Sequence, residues 1–299
     1  FGGNLDLSIL PTFSPAVADA SGSVQFEVKV SGALDKPGVF GQASAEGASL
    51  RLKAAPYPVD AIDARVVFSA ERVLVERVSA RVLGGNLSMT GAAALQGRQL
   101  GSFRLELTGD RLLATPREGV EVAFGGRGEL SWKRGDRLPK LQGTLRLGRT
   151  RYTRPISVGT TLGDLTKKQR VDVDTYDPAL ENLALDLRVQ QSEPMHVDNN
   201  LIEAELVIDD GKEPFRLLGT DQRFGVLGNM DIRQGTIRVR DRPFSIRDGE
   251  ITFGSSTRVE PRFEVRAETD VRRTVEMGQL HWRVGVHAYG TPDAFQFEL

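Results

Sequence analysis

Phe224–Val271 reads FGVLGNMDIRQGTIRVRDRPFSIRDGEITFGSSTRVEPRFEVRAETDV, and this stretch decides the fold class. Short alternating runs follow one another, each broken by a Gly or an Asp-Gly pair. The last run is the clearest. Phe263, Val265, Ala267, Thr269 and Val271 share one parity, and Arg262, Glu264, Arg266, Glu268 and Asp270 share the other. A period of two places successive side chains on opposite faces of a strand, so this segment has one apolar face and one wet face.

The same rhythm extends in both directions. Upstream, Val24, Phe26, Val28 and Val30 alternate with Gln25, Glu27 and Lys29, and Ile62, Ala64, Val66 and Phe68 form another run. Leu83-Gly84-Gly85-Asn86 has the chemistry of a tight hairpin turn. Val120, Val122, Phe124, Gly126, Gly128, Leu130 and Trp132 share one parity, and Leu141, Leu145 and Leu147 close this half. Strands resume with Leu183, Leu185, Leu187 and Val189, then Met195 and Val197, then Ile202 to Ile208, and end with Leu280, Trp282, Val284, Val286 and Ala288. Ala288–Asp293 resembles Val30–Pro37 (a strand, a Gly, then a Pro-containing bend), which is a weak internal repeat without the fixed short period of a β-solenoid.

Between the halves, Arg149–Leu180 breaks the rhythm. It is polar, with a short helix expected near Leu162–Lys168 and a helical turn starting at Asp177-Pro178. The expected organisation is therefore β repeats over 1–148, a polar insertion or loop over 149–180, and a second β segment over 181–299. Both ends read as cut strands, so the chain is expected to be a fragment of a longer protein.

Composition excludes several function classes. The 299 residues carry 39 Lys plus Arg against 40 Asp plus Glu, a net charge of −1, which offers no basic excess for nucleic acid. There is no cysteine, so neither disulfides nor thiolate metal sites are available. No run of about 18 apolar residues is present to form a membrane-spanning helix. The three His, at 196, 281 and 287, fall in no HExxH, and there is no GxSxG. Asp172, Asp174 and Asp177 lack the Gly and bidentate Glu of an EF-hand. Gly125-Gly126-Arg127-Gly128 lacks the Lys and the following helix of a phosphate loop. The expectation is a protein that is not an enzyme and holds no metal or cofactor.

Roughly 16 to 20 strands and no helix of three turns or more leave the sheet to cover its own apolar face. Two or three stacked sandwiches would do this. So would one long, strongly curled antiparallel sheet. At about 10 residues per strand, each would reach about 33 Å, and about 18 strands at about 4.8 Å would extend about 85 Å. Aromatic content is only 7%. Inward positions are mainly Val, Leu, Ala and Ile, which would leave a trough hollow and suited to an apolar guest.

Gly228-Asn229-Met230, Gly235-Thr236, Arg242-Pro243-Phe244, Ile246, Asp248-Gly249-Glu250-Ile251-Thr252-Phe253, Pro261 and Gly290-Thr291-Pro292, in that order, resemble the C-terminal domain of the TamB family, the translocation and assembly module proteins of the AsmA-like, repeating-β-groove group. Leu183–Leu187, Val197-Asp198-Asn199, Ser31–Pro37 and Leu83–Asn86 fit the same pattern. The likeness is specific over Glu181–Leu299 and looser before Thr150, and the family's final residues are mostly absent.

This resemblance implies an all-β protein: a long, curled, mainly antiparallel sheet forming an open apolar groove, a β-taco. It implies a periplasmic location in diderm bacteria, with the inner membrane reached through an N-terminal helix absent here. It further implies phospholipid transport between the inner and outer membranes. The alternative is outer-membrane protein assembly by β-augmentation with a BamA-like barrel partner. A secreted β-solenoid binding polysaccharide is an outside alternative. For the first role, the groove lining is expected from Val24, Phe26, Val28, Val30, Val122, Phe124, Leu185, Leu187, Phe224, Val226, Phe263, Val265, Trp282 and Val284. A charge at Val265 is expected to block lipid occupancy while leaving the strands folded.

Overall fold

The computed structural model describes residues 1–32, 38–53, 57–97, 99–155, 176–211, 213–239, 242–275, 278–291 and 294–298. These residues form an all-β, mainly antiparallel structure of 19 strands. The chain divides into two compact units, Phe1–Ala114 with Ala123–Leu145, and Thr115–Val122 with Arg146–Leu299.

In the first unit a meander follows the sequence rhythm: β1 (Gly2–Asp6), β2 (Val17–Ser21), β3 (Ser23–Ser31), β4 (Gly38–Leu52), β5 (Val59–Phe68), β6 (Arg72–Val82), β7 (Gly85–Gln96) and β8 (Gln99–Arg117). β1 pairs with β3, and β2 pairs with the far end of β4. Leu83 and Gly84 connect β6 to β7 with φ of 52° and 71°. Two consecutive positive φ angles are the geometry of the hairpin turn that suits strand twist, as the Leu-Gly-Gly-Asn run requires. Bulges between Ala45 and Ala48, between Arg65 and Val66, and between Val75 and Val78 bend successive strands.

β9 (Val120–Lys133) and β10 (Lys140–Tyr152) follow, and then the second unit's strands: β11 (Ala184–Gln191), β12 (Met195–Asp198), β13 (Ile202–Ile208), β14 (Arg216–Thr220), β15 (Phe224–Val239), β16 (Arg242–Ser255), β17 (Pro261–Val275), β18 (Gly278–Thr291) and β19 (Ala294–Glu298). All the registered pairs here are antiparallel except β10 with β12. The core gathers Leu201, Ile237, Phe244, Phe263, Val265, Ala267, Val286 and Ala288, with Ile202, Ile232, Ile246, Ile251 and Val284 packed against it. Each large side chain sealed there contributes about 1.5–3 kcal/mol.

Two expectations are corrected. Strands vary from 4 to 19 residues rather than clustering near ten, because bulges let long strands bend without breaking. β14 was not anticipated: Leu217 and Leu218 are adjacent apolar residues, so period-two alternation is absent there. The helical turn at Asp177-Pro178 is present as Pro178–Leu180, capped by the Asp177 carboxylate accepting from the Ala179 N–H at 2.8 Å. The helix expected near Leu162–Lys168, together with Asp172 and Asp174, lies outside the described residues.

Candidate functional site

Cross-strand partners in an antiparallel pair point to the same face, so the registers identify which residues share a surface. In the first unit they assemble three unbroken apolar rows across β3 to β8. The first is Val24, Ala45, Ala64, Val78, Met89 and Leu107. The second is Phe26, Ala43, Val66, Val75, Gly91 and Leu105. The third is Val28, Gly41, Phe68, Val73, Ala93 and Phe103. Of all these, only Ala45 is buried, and every other member is half-buried, neither sealed nor fully open. No side chain in the rows carries a polar atom other than the Met89 thioether. The face spans about 24 Å across the strands and about 14 Å along them. An exposed apolar patch of that order on a water-soluble surface is as a rule functional.

Gly91 shows how tightly these strands approach. Its φ is +148°, and a Cβ placed on it would lie 2.2 Å from the Arg104 carbonyl oxygen. A side chain there would push β7 off β8, so the middle row has a gap only Gly can leave.

The sequence-derived lining residues fall as follows. Val24, Phe26 and Val28 begin the three rows, and Val30 continues their parity as an exposed residue opposite Val39. Val122 and Phe124 share one face of β9 and are half-buried. In the second unit, Leu185 aligns through Gly219 with Phe224, and Leu187 aligns through Leu217 with Val226. The parity of β15 carries that face to Met230, which aligns through Ile251 with Phe263. Val265 aligns with Ala288, Thr269 with Val284, and Val271 with Trp282. All eight second-unit residues therefore lie on one face.

That face is not uniform. Val265 is 1% exposed and Ile237 is fully sealed, whereas Phe224 is 44% and Trp282 45% exposed. Phe263 and Val265 belong to a closed core, and Leu187 is also buried. The expectation for Val265→Asp is thereby corrected. A carboxylate there would sit unpaired among Phe244, Phe263 and Ala267, and would cost folding stability before it could affect any guest.

The opposite face of the second unit is charged. Glu264 lies 3.3 Å from His287 Nε2 and 3.5 Å from Arg266, and Glu268 lies 3.2 Å from Arg247. Arg151, His196, Glu205 and Gln234 form one cross-strand row lining a 750 Å³ polar cavity with Arg149, Asp198 and Glu203. His196 and Glu205 approach to 3.8 Å there. These are solvated ion pairs, each contributing about 0–1 kcal/mol. Among the described residues no group of acidic or His side chains is arranged to hold a metal ion.

Two polar clusters were not anticipated. The Glu181 carboxylate accepts from Tyr176 Oη and from Thr220 Oγ1, and the Arg223 guanidinium lies 5.1 Å over the Tyr176 ring. Beside it, burial acts to raise the Asp221 carboxyl. The Asn182 backbone and side-chain N–H groups, Gln222 and the Leu183 N–H outweigh that effect and hold it below the usual carboxylate range. Both clusters tie the entry of β11 to the β14–β15 turn. Neither has a local motif, because the contacts that join the two segments, Glu181 with Thr220 and Asn182 with Asp221, each span 39 residues.

Residues 76–299 match the family model of the TamB C-terminal domain. The chain belongs to the TamB family. The match begins within β6 and runs through β19, so it covers part of the apolar rows and all of the closed core. No curated protein matches the chain at a significant level. TamB proteins act in the cell envelope, in protein assembly or lipid transport. Among the described residues of this TamB chain, no helix is long and apolar enough to cross a membrane.

Proposed function

We propose that this chain carries phospholipid acyl chains along the apolar face of β3 to β8, as part of a periplasmic bridge between the inner and outer membranes. It acts by binding rather than by catalysis. The observation supporting this reading is that the three apolar rows are only half-buried. They form a coherent apolar surface that the first unit leaves accessible, while the second unit seals its equivalent face at Ile237 and Val265. Acyl chains match this surface because it has no polar group to satisfy and no directional contact to make. Each methylene taken up contributes about 0.8 kcal/mol. A lining of Val, Ala and Leu offers similar affinity at every step, which suits sliding, and head groups stay at the open rim in water. In the full-length protein an N-terminal helix would hold the bridge to the inner membrane.

The test is extraction of the purified chain followed by mass spectrometry of co-purifying lipid, comparing the wild type with Val75→Asp. The wild type should retain phospholipid and the variant should lose most of it with its strand content unchanged. Equal lipid in both would remove the first unit from the path.

A further inference from the structure

The apolar face of the first unit is graded along its strands. One step beyond the row that runs from Val24 to Leu107, Ala48 aligns with Ile62, and Ala80 aligns through Leu87 with Gly109. A further step along, Ala20 aligns through Leu50 and Val59 with Val82. This end is sealed, with Ala48 1% and Ala80 7% exposed. In the other direction, beyond the row that runs from Val28 to Phe103, Val30 is 51% and Leu100 41% exposed. The strands therefore carry the face from a closed, small-residue end to an open one.

The open end has its own chemistry. Phe68 and Phe103 lie in the row that begins at Val28, and Phe103 stacks on Trp132 of β9 with ring centroids 6.2 Å apart. The Arg134 N–H donates to the Gly101 carbonyl at 2.8 Å, which sets Trp132 across from Phe103. The indole N–H donates to the Asp136 carbonyl at 3.1 Å and fixes the ring. Two residues beyond Trp132, the Arg134 guanidinium donates to Gln99 Oε1 at 2.8 Å, and among the described residues it has no carboxylate within ion-pair distance. Aromatic rings beside an unpaired cation suit the boundary between hydrocarbon and water. From Phe103 to Gly109 the face runs about 20 Å along β8. One acyl chain spans half of a hydrocarbon core of about 30 Å, so it fits on this face end to end.

We infer that the face holds each phospholipid in one orientation. The acyl chains lie along the strands with their methyl ends at Ala48 and Ala80, Trp132 packs at the top of the chains, and the phosphate sits at the open end against Arg134. This rests on the acyl-chain reading above and adds the direction in which the lipid lies. The reverse orientation would bury a phosphate among Ala48, Ile62 and Ala80, where nothing pairs its charge. Movement from β3 to β8 then carries every head group along the same rim.

The experiment is fluorescence quenching by brominated lipid. Trp132 and Trp282 are the only tryptophans, so Trp282→Phe leaves Trp132 as the single reporter. The whole chain is loaded with phosphatidylcholine brominated near either the carboxyl end or the methyl end of its acyl chains, and unbound lipid is removed. Carboxyl-end bromines should quench Trp132 several-fold more strongly than methyl-end bromines. With Leu87→Trp, Trp132→Phe and Trp282→Phe together, the order should reverse. Leu87 has Ala80 and Gly109 across its two ladders, which leaves room for the larger ring. Arg134→Glu should lower the phospholipid retained by the chain several-fold with strand content unchanged in circular dichroism, and Arg134→Lys should retain it. Quenching of Trp132 that is equal from the two lipids, weaker from the carboxyl-end one, or absent while position 87 responds would overturn the orientation and leave acyl-chain binding standing. Undiminished lipid in Arg134→Glu would overturn the placement of the phosphate. No quenching at either position would overturn both the orientation and the acyl-chain reading.

Discussion

Val265 stands directly across from Ala288 on β17 and β18, and both are closed to solvent, at 1% and 0% exposure. On the first unit, Val66 stands across from Val75 in the same kind of antiparallel pair, and both remain only half-buried. Valines at equivalent positions in a period-two pattern are thus sealed in one unit and only half-buried in the other. Val265→Asp should cost about 3–5 kcal/mol, and Val75→Asp about 1 kcal/mol. Urea unfolding of the two variants checks this, and similar midpoints would contradict the distinction.

Gly91 leads to a second prediction. Gly91→Val introduces a side chain at φ +148° against the Arg104 carbonyl and should cost about 3 kcal/mol. Gly84→Ala, at φ +71° with open space around it, should cost only about 1 kcal/mol. Equal losses in thermal unfolding would mean that the β7–β8 approach is looser than the geometry indicates.

Much of this architecture was legible from the chain. Arg262–Val271 alternates cleanly because β17 has one packed face and one solvated face. Leu83-Gly84 signalled its turn because few residues accept two successive positive φ angles. β14 was hidden by its paired leucines. The candidate lining was legible as parity, and the registers place all eight second-unit members on one face. Parity does not report depth, however. Whether Val265 or Val75 is sealed depends on residues far away in sequence, such as Phe244 and Ile237 around Val265. The Glu181–Tyr176–Thr220 cluster was invisible for the same reason.

Asp221 gives the fold an acid-sensitive contact. Its carboxyl is held below the usual range in the folded chain, so its contribution is present above the unfolded value near 3.8 and is lost as pH falls through the lower folded value. Asp221→Asn should remove that part of the acid dependence. Stability profiles between about pH 2 and pH 6 check this, the wild type losing more than the variant below about pH 4.

Tyr289 makes the opposite prediction at high pH. Its hydroxyl donates to Glu298 at 2.8 Å, and that bond, with burial and the nearby carboxylate charge, pushes the phenol above 10.0. The contribution is present below the unfolded value and is lost as pH rises through the raised folded value. Hydrogen exchange at β19 should therefore accelerate above about pH 10 beyond the intrinsic rate. Tyr289→Phe should show no such step.

The central claim is that acyl chains occupy the apolar rows of β3 to β8. Its most direct test places a photoreactive amino acid at Val75, on the apolar face, and at Arg77, whose register partner Arg65 lies on the opposite face. Irradiation in cells followed by mass spectrometry should give phospholipid adducts at position 75 and none at position 77. Adducts at neither position, or equally at both, would contradict the account.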